Sequence, residues 1–288
     1  MFKLAHKLVL GTAQFGMDYG IANLAGKPSK KDVFKIFDFA WEKGVRKFDT
    51  APGYGSEILL GEFIKANGLQ DHIKVLTKIP SMENSNDYKV DISASIQTSI
   101  KALGSSMDVL FFHNPKDSSL LSKNPNYFKN LLKEYSISSI GVSVYDPDEV
   151  EAHVDSQFEL CFQFPFNVLD RRFAHVDLPK GKRYARSIFL QGLLASKKRL
   201  RQGTSKELLK LQRDYHQILI DNNLDPISIS ISFVSQNNSV DYFLVGVDTI
   251  KQLSNILKKE LYHNKIIDAI KSVGFECDDK WLDPRKWN

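Results

Sequence analysis

The chain has 288 residues, 42% of them hydrophobic, a net charge of +5 and a pI of about 8.9. It is long enough to bury a sizeable core, and no stretch reaches the ~18 apolar residues of a membrane span. Lys and Arg are dispersed apart from KGKR at 180–183 and KKRLR at 197–201, and zinc-finger spacing, an RNP-like motif and a long basic arm are all missing, so nucleic-acid binding falls away. The mild basicity suits a phosphorylated or acidic ligand. Cys161 and Cys277 are too few and too far apart for a disulfide framework and are expected as reduced thiols in a cytoplasmic protein. The opening MFKLAHKLVLG has neither a long apolar core nor a small-residue cleavage site.

Short apolar runs alternate with longer amphipathic stretches. Strands are expected over 7–13, 45–50, 74–79, 108–113, 139–144, 160–164, 186–191 and 241–247. Helical patterns fall between them at 30–44, 57–68, 91–104, 126–136 and 146–154. Gly44, Gly68 and Gly104 sit where helix C-caps belong, and Asp91 and Asp146 where N-caps do. The region after the sixth strand reads as a loop plus a short helix, followed by a strong helix at 205–223. PISISISFVSQNN (226–238) alternates like a strand, but its leading proline and its place before the last strand favour a buried helix. Residues 250–274 read as two closing helices. Strands alternating with helices imply βαβ units, and eight of them imply a (β/α)8 TIM barrel, with 1–288 as one domain and the active site at the C-terminal strand ends.

The run FDTAPGYG (48–55) carries the clearest chemistry. It is a β-type segment ending in Asp49, then a Pro/Gly turn bearing Tyr54. A phenol near its reference pKa of ~10 is a poor acid at neutral pH, so it needs a cation to lower that value, and the cation needs a carboxylate. Lys78 in VLTKIP and His113 in VLFFHNP lie at similar strand ends. In that order, Asp49, Tyr54, Lys78 and His113 resemble the catalytic tetrad of the aldo-keto reductases. Further wording agrees: LGTAQFG (10–16), LG at 60–61, IGVSVY (140–145), FQFPFNVLDRR (162–172), FLQGLLASKK (189–198) and FLVGVDTIKQLSNIL (243–257). RSIFLQGLL and the LGTAQFG–DYGIAN opening also resemble a short bacterial branch found among polysaccharide and nucleotide-sugar genes.

The resemblance implies an NAD(P)(H)-dependent oxidoreductase acting on a carbonyl or sugar-like substrate. Tyr54 donates the proton, Lys78 tunes it, Asp49 holds Lys78, and His113 faces the substrate oxygen. It places the cofactor, NADP(H) or NAD(H), along Thr12, Ser143, Gln163, Arg186, Ser187, Gln191, Gly192, Lys197, Gly246, Asp248 and Gln252. Ser143 and Gln163 match the residues that hold the nicotinamide carboxamide. Val144 replaces a family Asn, and the aromatic that stacks on nicotinamide falls at Arg186 or Ser187; a guanidinium plane stacks there instead, or Phe189 does in a shifted register. Gln252 takes a position often held by Arg, with Lys251 the one nearby cation, and Asp248 adds negative charge, so NADH use competes with the family's NADPH default. Gln14, Phe15, Met17, Tyr19, Trp41 and Phe166 are candidate substrate-side residues, Trp41 being expected in the core. No metal site is expected, because HExxH and comparable spacings are missing. Two other classes compete: a non-catalytic cofactor-binding regulatory protein on the same fold, and a barrel isomerase or lyase without nicotinamide.

Overall fold

The computed structural model describes residues 4–153, 156–272 and 278–287. Val154, residues 273 and 274 of the expected closing helix, and Cys277 lie outside them. Strands β1 (Leu8–Gly11), β2 (Lys47–Asp49), β3 (Lys74–Ile79), β4 (Val109–Phe112), β5 (Ser139–Ser143), β6 (Cys161–Pro165), β7 (Arg183–Arg186) and β8 (Tyr242–Gly246) form a closed parallel barrel in sequence order. The β8–β1 pairing, Leu8 with Phe243 through Gly11 with Gly246, shuts the ring.

The two-residue strand period builds two cores. Leu10, Phe48, Val75, Leu110, Phe112, Val142, Phe162 and Phe243 face outward under the helices. Val9, Leu76, Val109, Phe111, Cys161 and Tyr184 fill the barrel. Under helices Lys30–Glu42 and Glu57–Asn67, Phe37 meets Phe15 at 5.3 Å, Phe63 at 5.1 Å and Phe48 at 5.7 Å between ring centroids. Each such fully buried ring contributes about 1.5–3 kcal/mol. The glycine in LG at 60–61 has a packing reason: a Cβ on Gly61 would overlap the Ala102 carbonyl of helix Tyr88–Leu103.

Four sequence expectations need correction. The seventh strand is Arg183–Arg186, and 187–191 leave the sheet with positive φ at Ser187, Leu190 and Gln191. The short helix expected after the sixth strand is replaced by turns, where Asn167 Oδ1 accepts from the Leu169 and Asp170 amides at 2.9 Å. Asp87, not Asp91, caps Tyr88–Leu103, and the residue before helix Asp148–Glu151 is Pro147, not Asp146. The serine-isoleucine alternation is the helix Pro226–Ser235, capped by Asp225 and buried from Ser228 to Ser235. Helices Ile250–Leu257 and Asn264–Ser272 follow β8. Among the described residues no helix is long and apolar enough to cross a membrane.

Candidate active site

The strand period also builds the barrel mouth. One inward step beyond Val9, Lys47, Leu76, Phe111, Gly141, Cys161, Tyr184 and Leu244 lie Gly11, Asp49, Lys78, His113, Ser143, Gln163, Arg186 and Gly246. Polar side chains therefore appear at the C-terminal strand ends, above an apolar plug. They line a cleft of about 1320 Å³ that runs on to the loop after β8.

Asp49 and Lys78 form its floor. Lys78 Nζ donates to both Asp49 carboxylate oxygens and to the Thr50 carbonyl, each at 2.9 Å. Their side chains are 5% and 1% exposed, so neither charge has a solvent alternative. Burial alone would push Lys78 toward its neutral form; Asp49 and Tyr54 outweigh it and hold the ammonium above its ordinary pKa. Gln163 Nε2 donates to Asp49 Oδ2 at 2.8 Å, which fixes the carboxylate from the far side.

Tyr54 sits in the short 3-10 turn Pro52–Tyr54, with Lys78 Nζ 5.0 Å from its ring centroid and the His113 ring edge-on at 6.1 Å. Gly16 presses against the Tyr54 carbonyl, where a Cβ would overlap it. Burial raises the Tyr54 pKa and Lys78 pulls it down; the net direction is up. The expected lowering by Lys78 is present but outweighed, and the phenol stays protonated. Burial, reinforced by the charges of Lys78 and Arg186, brings His113 down to about 4, so the ring is neutral at physiological pH.

The cleft is also lined by Ser143, Gln163, Arg186, Ser187, Gln191, Gly192, Gly246, Asp248 and Gln252. Two expected cofactor residues are not in the lining. Thr12 is fully buried and donates to the Asp49 carbonyl at 2.9 Å, and exposed Lys197 gives way to Lys198. Phe15 and Phe166 are core residues, whereas Gln14 and Tyr19 reach the cleft; Met17 is exposed outside it and Trp41 packs against the core. Arg186 Nη2 donates to the Val144 carbonyl at 2.9 Å, and its guanidinium lies 4.0 Å from the Tyr145 ring centroid. Arg285, from the 278–287 segment, covers the same ring at 3.2 Å.

At the far end Asp248 does not cap the next helix. Thr249 does, in a capping box with Gln252. Asp248 Oδ1 instead accepts from Asn23 Nδ2 at 3.2 Å, and Gln252 Oε1 accepts from the Asp248 amide at 2.6 Å. Lys251 lies in the helix after β8 and Lys258 at its C-cap, and Lys198 lines the same cleft, so Lys251 is not the one cation available there. Sequence reasoning missed Asn23, Tyr145, Lys198, Lys258 and Arg285. Tyr145 had a signal, as the last residue of the IGVSVY word that begins in β5.

A dinucleotide suits this cleft. Ser143 is 2% exposed and, among the described residues, its hydroxyl has no protein partner; the Gln163 carbonyl oxygen likewise accepts no hydrogen bond from them. An amide carbonyl and a hydroxyl at the barrel mouth match a carboxamide, and the lysines Lys198, Lys251 and Lys258 of the cleft lining match phosphates. No group of His, Cys, Asp and Glu able to hold a metal occurs among the described residues.

The sequence profile of the Aldo/keto reductase family matches residues 7–273. D-threo-aldose 1-dehydrogenase of a Pseudomonas species is 28% identical over 236 residues, 67% of this chain and 71% of that protein. Among solved structures, an aldo-keto reductase of Bacillus halodurans in its holo form aligns with a TM-score of 0.75 at 18% identity, covering 94% of this chain and 93% of the other. A glycerol dehydrogenase of Gluconobacter oxydans aligns with a TM-score of 0.71 at 19% identity, covering 94% of both chains.

Proposed function

The chain belongs to the aldo/keto reductase family and is an oxidoreductase, and we propose that it reduces a carbonyl of an aldehyde, ketone or sugar-like compound with NADPH or NADH, or runs the reverse reaction, with Tyr54 as the proton donor. The observation that carries this reading is the convergence of Asp49, Tyr54, Lys78 and His113 on one cleft, with Lys78 bonded to Asp49 at 2.9 Å. The aldose activity in the name of the Pseudomonas relative supports a sugar-like substrate.

A bound dihydronicotinamide supplies the hydride to the carbonyl carbon. Ser143 and the Gln163 carbonyl would hold its carboxamide, and Lys198, Lys251 and Lys258 its phosphates. As the carbonyl oxygen gains negative charge, Tyr54 Oη–H gives it a proton, leaving a tyrosinate beside the Lys78 ammonium. Lys78 stabilises that anion most when it forms, which is where a charge accelerates the reaction. Asp49 keeps Lys78 charged and aimed. Neutral His113 donates or accepts a hydrogen bond at the substrate oxygen without competing as a cation.

The test is titration with NADH and NADPH followed by nicotinamide fluorescence, then turnover of an aldehyde, ketone and sugar panel. Binding with turnover supports the reading. Binding without turnover of any carbonyl contradicts it and favours a cofactor-sensing role on the same fold.

A further inference from the structure

Beside the tetrad, at the barrel mouth, stands a cation with no carboxylate partner among the described residues. Lys78 is neutralised by Asp49. Arg285 is neutralised by Asp283, at 2.6 Å. Arg172, on the loop beyond β6, is bonded to Asp146 and Asp170. Arg186, at the inward-facing end of β7, has no carboxylate partner among the described residues. Its bonding is a single carbonyl, Val144 O, and the face of Tyr145.

An arginine carries five N–H donors, and that one bond leaves most of them unspent. The side chain is half-buried, so water screens it only in part. Its location is chemical. The Arg186 charge reaches Tyr54, His113 and Tyr19, and depresses the pKa of each against the opposing pull of other groups or together with burial. Tyr145, clamped between Arg186 and Arg285, fixes the guanidinium plane. Of the phosphate-matching lysines, Lys251 lies in the helix after β8 and Lys258 at its C-cap, not at the strand end that carries Arg186. A nicotinamide ring is neutral when reduced and positive when oxidised, so it offers this cation no counter-charge.

We propose that Arg186 anchors an anionic substituent, a carboxylate or a phosphate, on the carbonyl substrate. This rests on the reading of the site as a carbonyl reductase. The fork of Arg186 pairs with the anion, as guanidinium and oxyanion geometry favour, while the carbonyl reaches Tyr54 and His113. A half-buried arginine prepared in this way is stabilised by an anion and leaves a neutral analogue facing an unpaired charge, so discrimination favours acids.

The experiment measures kcat/KM for matched pairs: glyoxylate against glyoxylamide, glucuronate against glucose, and glyceraldehyde phosphate against glyceraldehyde. Wild-type protein is expected to favour the anionic member of at least one pair by about tenfold or more. Arg186→Gln should bring that ratio close to one, and Arg186→Lys should restore part of it, a dependence on charge that a purely structural role would not produce. The pair that responds tells carboxylate from phosphate. A wild-type ratio at or below one in every pair, or a ratio unchanged in Arg186→Gln, overturns the proposal. If no carbonyl is turned over, the reductase reading has failed and calorimetry decides separately. Glycolate or glycerol phosphate binding to wild type that is lost in Arg186→Gln and recovered in Arg186→Lys supports the anion site; no binding, or binding retained in Arg186→Gln, overturns it. Thermal melting of each variant establishes that it is folded before it is scored.

Discussion

Lys78 Nζ sits 2.9 Å from both carboxylate oxygens of Asp49, on neighbouring strands of the barrel, with almost no exposure of either side chain. The pair does two jobs. It seals two charges into the barrel mouth and keeps an ammonium beside Tyr54. Replacing Lys78 with Met leaves the Asp49 carboxyl group buried without its cation and held only by Gln163. The expected result is loss of turnover and a stability loss of about 3–5 kcal/mol. Denaturant unfolding and a carbonyl-reduction assay check both halves. Retention of activity and stability together would contradict the pairing.

Gly16 is expected to be as sensitive as a tetrad residue, though it carries no chemistry. A side chain there must displace the backbone of Tyr54. Gly16→Ala should lower kcat by at least about tenfold, since small misplacements of a reacting group are costly, with cofactor affinity changed far less. Fluorescence titration alongside steady-state kinetics separates the two effects.

The pH behaviour follows from His113. Its folded pKa of about 4 lies below the ordinary 6.5. Between those values the unfolded chain binds the proton and the folded one does not, so stability rises with pH. The contribution is complete above about 6.5 and is lost as pH falls toward 4. His113→Asn should therefore flatten the acid side of the stability curve, read as melting temperature against pH. The Tyr54 pKa is raised, so reductive turnover should show no loss from tyrosine ionisation below its ordinary value of about 10.

Cofactor choice turns on Asp248. Gln252, at the position often held by arginine, spends its amide on the capping box, and Asp248 is held in the cleft by Asn23. A carboxylate ~4–6 Å from a 2′-phosphate at an effective dielectric of ~20 would oppose it by roughly 3–4 kcal/mol before screening. Lys251 and the other lysines of the cleft lining offset part of that. Asp248→Asn should tighten NADPH by several-fold relative to NADH. An equal change for both cofactors would mean that Asp248 acts only through the 18–26 loop.

Much of the site was legible because strand period and motif spacing are local properties. Asp49 and Ser143 end their strands, Lys78 and Gln163 lie within two residues of the C-terminal ends of theirs, and the inward step follows from alternation alone. The seventh strand was hidden because Arg183 and Arg186 give it a charged outline, while the apolar Ile188 and Phe189 beyond it imitate a strand that positive φ angles forbid. Thr12 has the right neighbours for a cofactor contact, but its hydroxyl is taken by the Asp49 carbonyl and Ser56. The contacts of Asn23 with Asp248, and of Arg285 with Tyr145, join residues 225 and 140 positions apart. No local pattern announces such pairs.

The central claim is proton donation by Tyr54, and single-turnover oxidation of bound NADPH or NADH by a carbonyl substrate tests it most directly. Wild-type protein and Tyr54→Phe are each loaded with the cofactor and mixed with substrate, and loss of the dihydronicotinamide absorbance is followed. The variant keeps the ring and loses only the proton. It should bind cofactor within a few-fold of wild type and react at least about a thousandfold more slowly, near the upper part of the range for removing a general acid. A reaction in Tyr54→Phe as fast as in wild type would contradict the account.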